Sequence, residues 1–600
     1  MSLSKHIDPD ELIASLRENP IKHRPLAHHG ADSSTSHNVY GSRYHTDVAI
    51  PKFRMPEKGG NTQSIYQIIK DELDLDGKPN LNLASFVNTF MDPYADKLMA
   101  ENISKNLADA DEYPIVQAIH SRCISMLGNL WNVPKGETAI GTATTGSSEA
   151  IHLGGLAFKR LWQQKRRADG KSTEKPNIIM GANAQVALEK FARYFEVEAR
   201  ILPVSAGSHY CLDAKLVREN IDENTIGVFV ILGSTYTGHY EPVEEISKIL
   251  DAYEQETGHE IPIHIDGASG AMVAPFTNAV DGLWDFRLPR VHSISTSGHK
   301  FGLVYPGLGW AIWRSDKWLP KELIFELHYL GGTEQTFTLN FSRPSAQVIA
   351  QYFNFLALGK EGYSNIMHNA LCNARLLSKA LEASEWYTCV SDIHRKRGNW
   401  GGEAQSKLGV ISNDDAKLYN PGLPVVAFRL SDEFRKEYPH VKQQSVSTLL
   451  RVKGYIIPNY NLPPAVEGTE ILRVVVRESM SVDLLDMLIA DILSTTETLM
   501  SCDAGDIDAF ARPQAPRIEK SVQSLGKNSW MGRSIALLEK YVEPWERHNG
   551  PAGMEAKKEH EEHQGETTSS TAATAAPGAE ERFGGLMKKW RSKGVFSATC

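Results

Sequence analysis

IGVFVILG, residues 226–233, is a run of eight residues with no charge and only small or apolar side chains. A run this short and this continuously apolar is the pattern of a strand buried on both faces. The same reading extends outward to IPIHID (261–266) and HSISTS (292–297), with the helical stretch VEEISKILDAYEQ (243–255) between the first two runs. Upstream, EAIHLGGLAFKRLW (149–162) places Ile151, Leu153, Leu156 and Leu161 roughly every three to four residues, as one face of a helix requires. Apolar strands alternating with amphipathic helices predict an α/β domain, its mostly parallel sheet covered on both faces.

The 600 residues are 41% hydrophobic and 23% charged, enough for two or three domains. Residues 1–80 are polar, rich in His, Ser and Gly, and read as an arm. Residues 81–350 hold the large α/β domain. Residues 351–515 read as a smaller α+β domain containing the strand ILRVVVRES (471–479) and the helix SVDLLDMLIADILSTTETLM (481–500), capped by Ser481 with Asp483 in its first turn. Beyond 515 the chain drifts toward charge and small residues, and ETTSSTAATAAPGAEE (566–581) reads as disordered.

A net charge of −9 argues against nucleic acid or an anionic membrane as a global partner. The six cysteines, Cys123, Cys211, Cys372, Cys389, Cys502 and Cys600, show no CxxC pair or metal-like spacing, so free thiols in the cytoplasm are expected. The start, MSLSKHIDPDELIASLRENP, is charged and amphipathic, with Asp8 as N-cap and Pro9 at the first helical position, unlike a signal peptide. No apolar run approaches the roughly 20 residues that span a bilayer.

Three stretches carry chemistry. SISTSGHKFGL (293–303) sets Lys300 behind a strand and between apolar neighbours, where an ammonium is disfavoured and an amine nucleophile results, unless the side chain simply snorkels to the surface. TATTGSSEAIHLGG brings Ser147 and Ser148 to a helix N-terminus, an anion site suited to a phosphate, although Ser147 can also serve as a plain N-cap. IPIHIDGASGAMVAPF (261–276) puts Asp266 at the end of an apolar strand, where a carboxylate wants a cation. A metal is one candidate, yet no second carboxylate or suitably spaced histidine lies near in sequence, and no metal is expected. A protonated ring nitrogen is the better partner. Lysine, aspartate and serine-rich helix start together describe a pyridoxal 5′-phosphate site: aldehyde on Lys300 as a Schiff base, ring nitrogen on Asp266, phosphate on Ser147 and Ser148. Arg473 shares a strand face with Ile471 and Val475 and therefore needs an anion, either a substrate α-carboxylate or a structural acid, with Arg477 as the rival ligand.

The motifs LNLASFVNTF, DADEYP, TTGSSEA, FARYFEVEAR, TYTGHYE, HIDGASG, WDFRLPRVHSISTSGHKFGL, YLGG, NFSRPSAQVIAQY and LRVVVRE run collinearly over residues 40–500. Through them the chain resembles the group II pyridoxal-phosphate-dependent decarboxylases, and among these the glutamate decarboxylases. The resemblance implies pyridoxal-phosphate fold type I, the aspartate-aminotransferase-like fold, in a homodimer or a higher assembly of dimers with the active site at the subunit interface. It implies conversion of L-glutamate to 4-aminobutyrate and carbon dioxide. Motif by motif, it assigns catalysis to Lys300 with His299 beside it near the phosphate, and to Asp266. It puts Ala268 beneath the cofactor ring, Gln185 over it, Thr235 near its oxygen side, and Ser342 on the phosphate of the other subunit. Around the distal carboxylate it expects Ser85, the Phe86 backbone and the neighbouring subunit's Asp109; Ser85 stands where bacterial relatives commonly carry threonine. Arg473 would take the α-carboxylate. Decarboxylation of a close analogue such as aspartate, an aminotransferase or lyase reaction, and a catalytically idle scaffold remain as alternatives. Finally, RFGGLMKKWRSKGVF (582–596) gathers Arg582, Lys588, Lys589, Arg591 and Lys593 around Trp590, and loosely resembles the calmodulin-binding segment of plant relatives. Gly584 and Gly585 weaken it as a helix, so a plain disordered tail competes with calmodulin binding.

Overall fold

The structure, a computed structural model, describes residues 54–277, 280–327, 334–397 and 416–502. The readings of the first 53 residues, of the tail after 502 and of its basic end at 582–596 therefore lie outside the described residues. The chain divides into two units at Leu81/Asn82. In the first, helix α1 (Thr62–Leu73) starts at Asn61, whose side chain accepts from the Ser64 N–H at 3.1 Å.

The second unit is built on a seven-stranded sheet: β1 (Ile140–Thr144), β2 (Asn177–Gly181), β3 (Glu198–Leu202), β4 (Thr225–Ile231), β5 (Ile263–Asp266), β6 (Val291–Thr296) and β7 (Gly309–Trp313). Its order is β1-β7-β6-β5-β4-β2-β3, and only β7 runs against the others. Every residue of β4, β5, β6 and β7 is buried, as expected of strands covered on both faces. Each large side chain there contributes roughly 1.5–3 kcal/mol by leaving water.

Helices α2 (Pro93–Asn102), α3 (Pro114–Leu130), α4 (Ser147–Ala168), α5 (Val186–Tyr194), α6 (Ala214–Asn220) and α7 (Val243–Thr257) accompany the sheet. Two glycines let α4 lie close. A Cβ on Gly154 would sit 2.5 Å from the His264 ring in β5, and one on Gly155 would sit 2.6 Å from Phe191 in α5. Glu149 in the first turn of α4 and Lys165, Arg166 and Arg167 in its last complement the helix dipole.

After a small antiparallel pair, β8 (Phe325–Leu327) and β9 (Glu334–Thr336), helix α8 (Ala346–Ala383), broken at Gly359 with φ +57°, leads into the second part of this unit. There β10 (Tyr387–Cys389), β11 (Val425–Leu430), β12 (Asn459–Asn461) and β13 (Glu470–Val475) form an antiparallel sheet of order β10-β11-β13-β12, with α9 (Gln443–Val452) and α10 (Val482–Ser501) packed together beside it. Ser481 caps α10 by accepting from the Leu484 N–H at 3.1 Å. The stretch 82–88 is stitched between the two sheets. Val475 N–H donates to Leu83 O at 2.9 Å on one side, and Asn88 N–H donates to His299 O at 2.8 Å on the other. The five described cysteines are free, and no described helix is long and apolar enough to cross a membrane.

Candidate active site

Beyond β6 the chain turns sharply through Ser297–Leu303. Lys300 N–H donates to Ser297 O at 3.2 Å, and Leu303 takes a φ of +65°. The turn is braced from α8. Gln351 Nε2 and the Tyr363 hydroxyl both donate to Gly302 O at 2.9 Å, and Asn354 Nδ2 donates to Leu303 O at 2.7 Å. The two glycines of SGHKFG are required by that brace, because a Cβ on Gly298 or Gly302 would meet Gln351 Oε1 at 2.6 or 2.8 Å. The result is a half-buried Lys300 whose Nζ stands 5.4 Å from the centre of the Phe86 ring.

Asp266 closes β5 with only 2% of its surface exposed. It accepts from the Ala268 N–H at 3.1 Å. Burial pushes its carboxyl above the usual range, while the Lys300 charge and the Ala268 N–H pull it back. Asp266 and Lys300 thus sense each other across the strand ends.

Helix α4 begins at Gly146, which offers no side-chain cap, so Ser147 is the first helical residue and not the cap. Its first-turn N–H groups retain the anion-binding character of a helix start. Ser147 is buried and Ser148 exposed. His299 lies against this end: a Cβ on Gly146 would be 3.3 Å from His299 Cε1. Burial, with the Lys300 charge adding to it, lowers the imidazole to about 4, so the ring is neutral at pH 7, and its buried Nδ1 has no hydrogen-bond partner.

A third set arrives through the STYTGHYE turn. Gln185, at the start of α5, donates from Nε2 to Thr235 Oγ1 at 2.7 Å. The Thr235 carbonyl in turn accepts from an Arg473 terminal nitrogen at 2.7 Å, and the other terminal nitrogen donates to Ala84 O. The expected alternative of a structural acid for Arg473 is therefore not what the geometry offers: its terminal nitrogens donate to neutral carbonyls. Its guanidinium also stacks near Phe86, at 5.0 Å, and Tyr460, at 5.7 Å, while buried Nε has no partner. Lys300 and Arg473 thus both stand against the Phe86 ring. The rival, Arg477, donates to Val87 O at 2.6 Å and Asn82 O at 3.1 Å, tying down the backbone that carries Ser85 and Phe86. Ser85 Oγ accepts from the Val87 N–H at 3.1 Å.

Lys300, His299, Asp266, Ala268, Gln185, Thr235, Ser85, Phe86, Arg473 and the start of α4 with Ser147 are linked by these contacts into one region, and exposed Ser148 follows Ser147 in the same turn. Asp109 and Ser342 meet each other on Asn106. Asn106 Nδ2 lies 3.5 Å from Asp109 Oδ1 and 3.3 Å from Ser342 Oγ, and Leu107 N–H donates to Arg343 O at 2.9 Å.

Sequence reasoning missed the supports. Glu241 is fully enclosed, and its carboxylate accepts from Ile231 N–H at 2.6 Å, Asn183 Nδ2 at 2.9 Å and Leu212 N–H at 3.1 Å, joining the Thr235 turn to the loop before Gln185. Burial raises it to about 7. Glu149 accepts from Thr145 N–H at 2.8 Å and Leu339 N–H at 3.0 Å. Nothing in local spacing marks either acid, because their partners are backbone groups brought in by the fold.

The region suits pyridoxal 5′-phosphate on its own terms: a helix start without a side-chain cap, an orphaned imidazole nitrogen beside it, an amine on a braced turn, and a buried carboxyl that needs a cation. The comparisons agree. The family model described as "Pyridoxal-dependent decarboxylase conserved domain" matches residues 56–397. The glutamate decarboxylase of Saccharomyces cerevisiae is 50% identical over 467 residues, covering 75% of this chain and 79% of that protein. That of Solanum lycopersicum is 47% identical over 464 residues, 77% of this chain and 86% of that protein. Among solved structures, the glutamate decarboxylase of Lactobacillus brevis matches with a TM-score of 0.68 at 34% identity, over 76% of this chain and 97% of that one. This chain belongs to the pyridoxal-dependent decarboxylase family, with its type I fold and its pyridoxal phosphate cofactor.

Proposed function

We propose that the protein decarboxylates L-glutamate to 4-aminobutyrate and carbon dioxide. The observation that carries this reading is the meeting of Lys300 and Arg473 at the Phe86 ring, with Asp266 coupled by charge to Lys300, joined to relatives that are glutamate decarboxylases. Bound pyridoxal phosphate supplies a cationic ring into which the electron pair of the cleaved Cα–carboxylate bond is drawn.

The chain's residues then divide the remaining tasks. Lys300 Nζ would hold the cofactor through its aldehyde carbon and, once the substrate amine has displaced it, would be free to return a proton to Cα. Asp266 keeps the ring nitrogen protonated, a charge partner fixed in advance in a dry setting. Ser147 and Ser148, with the α4 start, bind the phosphate, and neutral His299 donates or accepts beside it without adding charge. Gln185, oriented by Thr235, and Ala268 would hold the cofactor's ring. Arg473 receives the α-carboxylate, and Ser85 with the Phe86 backbone receives the distal one.

Asp109 and Ser342 serve the site of a second copy in a homodimer. Their meeting on Asn106 supports that assignment, as do the exposed apolar side chains Phe90, Tyr94, Ile103, Leu339 and Phe341 on neighbouring stretches. The enzyme acts in the cytoplasm, and the basic segment 582–596 docks on a calmodulin-type receptor; titrating a peptide of residues 580–600 with calmodulin, with and without calcium, tests the latter through Trp590 fluorescence. For the reaction itself, carbon dioxide release from a panel of amino acids is decisive. Glutamate should be preferred over aspartate, and net transfer of the amine to a keto acid would overturn the assignment.

A further inference from the structure

A cleft of about 400 Å³ opens between the turn after β3, the turn after β4 and the loop after β10, and none of the residues assigned to the cofactor lines it. His209, His239 and Asp392 all line it, and their ligand atoms lie within 4.8 Å of one another. His239 Nε2 is 2.9 Å from Asp392 Oδ1, and His209 Nδ1 is 3.6 Å from Asp392 Oδ2. An ion bound tetrahedrally through bonds of 2.0–2.1 Å holds its donor atoms about 3.3 Å apart, between these two spacings.

Two of the three groups are already oriented from behind. His239 Nδ1 pairs with Thr237 Oγ1 at 2.8 Å, leaving Nε2 directed at Asp392, and Asn420 Nδ2 donates to Asp392 Oδ2 at 3.0 Å. Such outer partners fix imidazole tautomer and carboxylate aim. The third, His209, is 67% exposed and adopts φ +52° next to Tyr210 at φ +58°, an uncommon pair of left-handed residues that turns the imidazole onto the cleft. The side chains of His239 and Asp392 are only 9% and 16% exposed. Another mixed cluster, Glu382, Cys389 and His394, is closed instead: Arg395 occupies Glu382 at 3.1 Å, and the Cys389 thiol faces Ser378 O at 3.6 Å.

We infer that His209, His239 and Asp392 form a site for one divalent transition-metal ion of the zinc type. Two imidazoles and one carboxylate are the donor set such ions prefer, and the cleft leaves the fourth position to water. The ion joins the two sheets of the unit, because His239 sits on the turn carrying Thr235 while Asp392 follows β10. That turn is short and internally bonded, with Ser234 N–H donating to His239 O and Gly238 N–H to Ser234 O, both at 2.8 Å.

The test uses full-length holoenzyme stripped with a chelator and titrated with Co²⁺. One equivalent per chain should bind, with visible bands of a nitrogen and oxygen environment that Zn²⁺ abolishes, and Zn²⁺ should raise the melting temperature. His209→Asn, at an exposed position whose backbone conformation asparagine tolerates, should weaken binding by about tenfold or more while leaving the metal-free melting temperature unchanged. Asp392→Asn should abolish the bands. Failure of the parent enzyme to take up Co²⁺ overturns the site, as does binding by His209→Asn equal to the parent. Thiolate charge-transfer bands lost in Cys389→Ser would assign the ion to the other cluster and overturn it equally.

Discussion

Asp266 and Arg473 are opposite charges, each only 2% exposed and each on an interior strand of a different sheet, yet they are satisfied in different ways. Asp266 ends a parallel strand, accepts from the Ala268 N–H, and is pushed toward protonation by its burial. Arg473 sits in an antiparallel strand with two donors on carbonyls and two aromatic rings beside it. A buried anion so sparsely solvated gains most from a cation delivered by a ligand. A buried cation solvated by neutral dipoles keeps its charge for an incoming anion. The first is a demand on the cofactor and the second an offer to the substrate.

Both charges address the space beside Lys300, so removing that lysine should have the largest effect. Lys300→Ala is expected to lower turnover on the order of 10³-fold or more and to abolish the visible absorbance of bound cofactor. Activity within tenfold of the parent breaks the assignment at its centre.

Asp266→Asn isolates the demand side. The amide keeps the Ala268 contact and the packing but cannot hold a ring charge, so kcat should fall by about 10²- to 10³-fold with cofactor retained. If kcat is near normal while cofactor is bound, Asp266 is structural and the contrast collapses.

Arg473→Lys isolates the offer. A single ammonium cannot span the Thr235 and Ala84 carbonyls and still face an anion, so kcat/KM for glutamate should drop by about 10- to 100-fold. Arg477→Lys sharpens this, since Arg477 also grips carbonyls of the 82–88 stretch. It should lower the melting temperature and leave KM nearly unchanged. Equal effects on KM from both would mean that neither arginine is a specific ligand.

The smallest effect is a pH dependence of stability. Burial lowers His120 and His264 to about 3 and His299 to about 4. In the unfolded chain imidazoles protonate near 6.5, so between about 6.5 and 3 the unfolded state binds more protons and stability falls as the pH falls. Glu241, raised to about 7, acts in the opposite sense, its contribution declining as the pH rises from about 4.5 through 7. Cofactor-free protein should therefore lose melting temperature by several degrees on acidification from pH 6.5 to 4.5. A flat profile would mean the histidines are hydrated in the folded state.

What the amino-acid sequence determined alone was everything local: apolar runs that can only be strands buried on both faces, a helix start rich in small hydroxyl residues, and glycines flanking Lys300. Each rests on interactions within a few residues, so spacing is enough to read it. Arg473 was legible as a buried cation but not its carbonyl partners, which lie at Ala84 and Thr235, 389 and 238 residues away along the chain. The brace of Gln351, Asn354 and Tyr363, the anchoring acids Glu241 and Glu149, and the meeting of His209, His239 and Asp392 were equally out of reach. Long-range contacts depend on which strands become neighbours and how closely helices approach them, and only the folded chain decides that, because packing selects partners by shape and burial and not by order in the sequence.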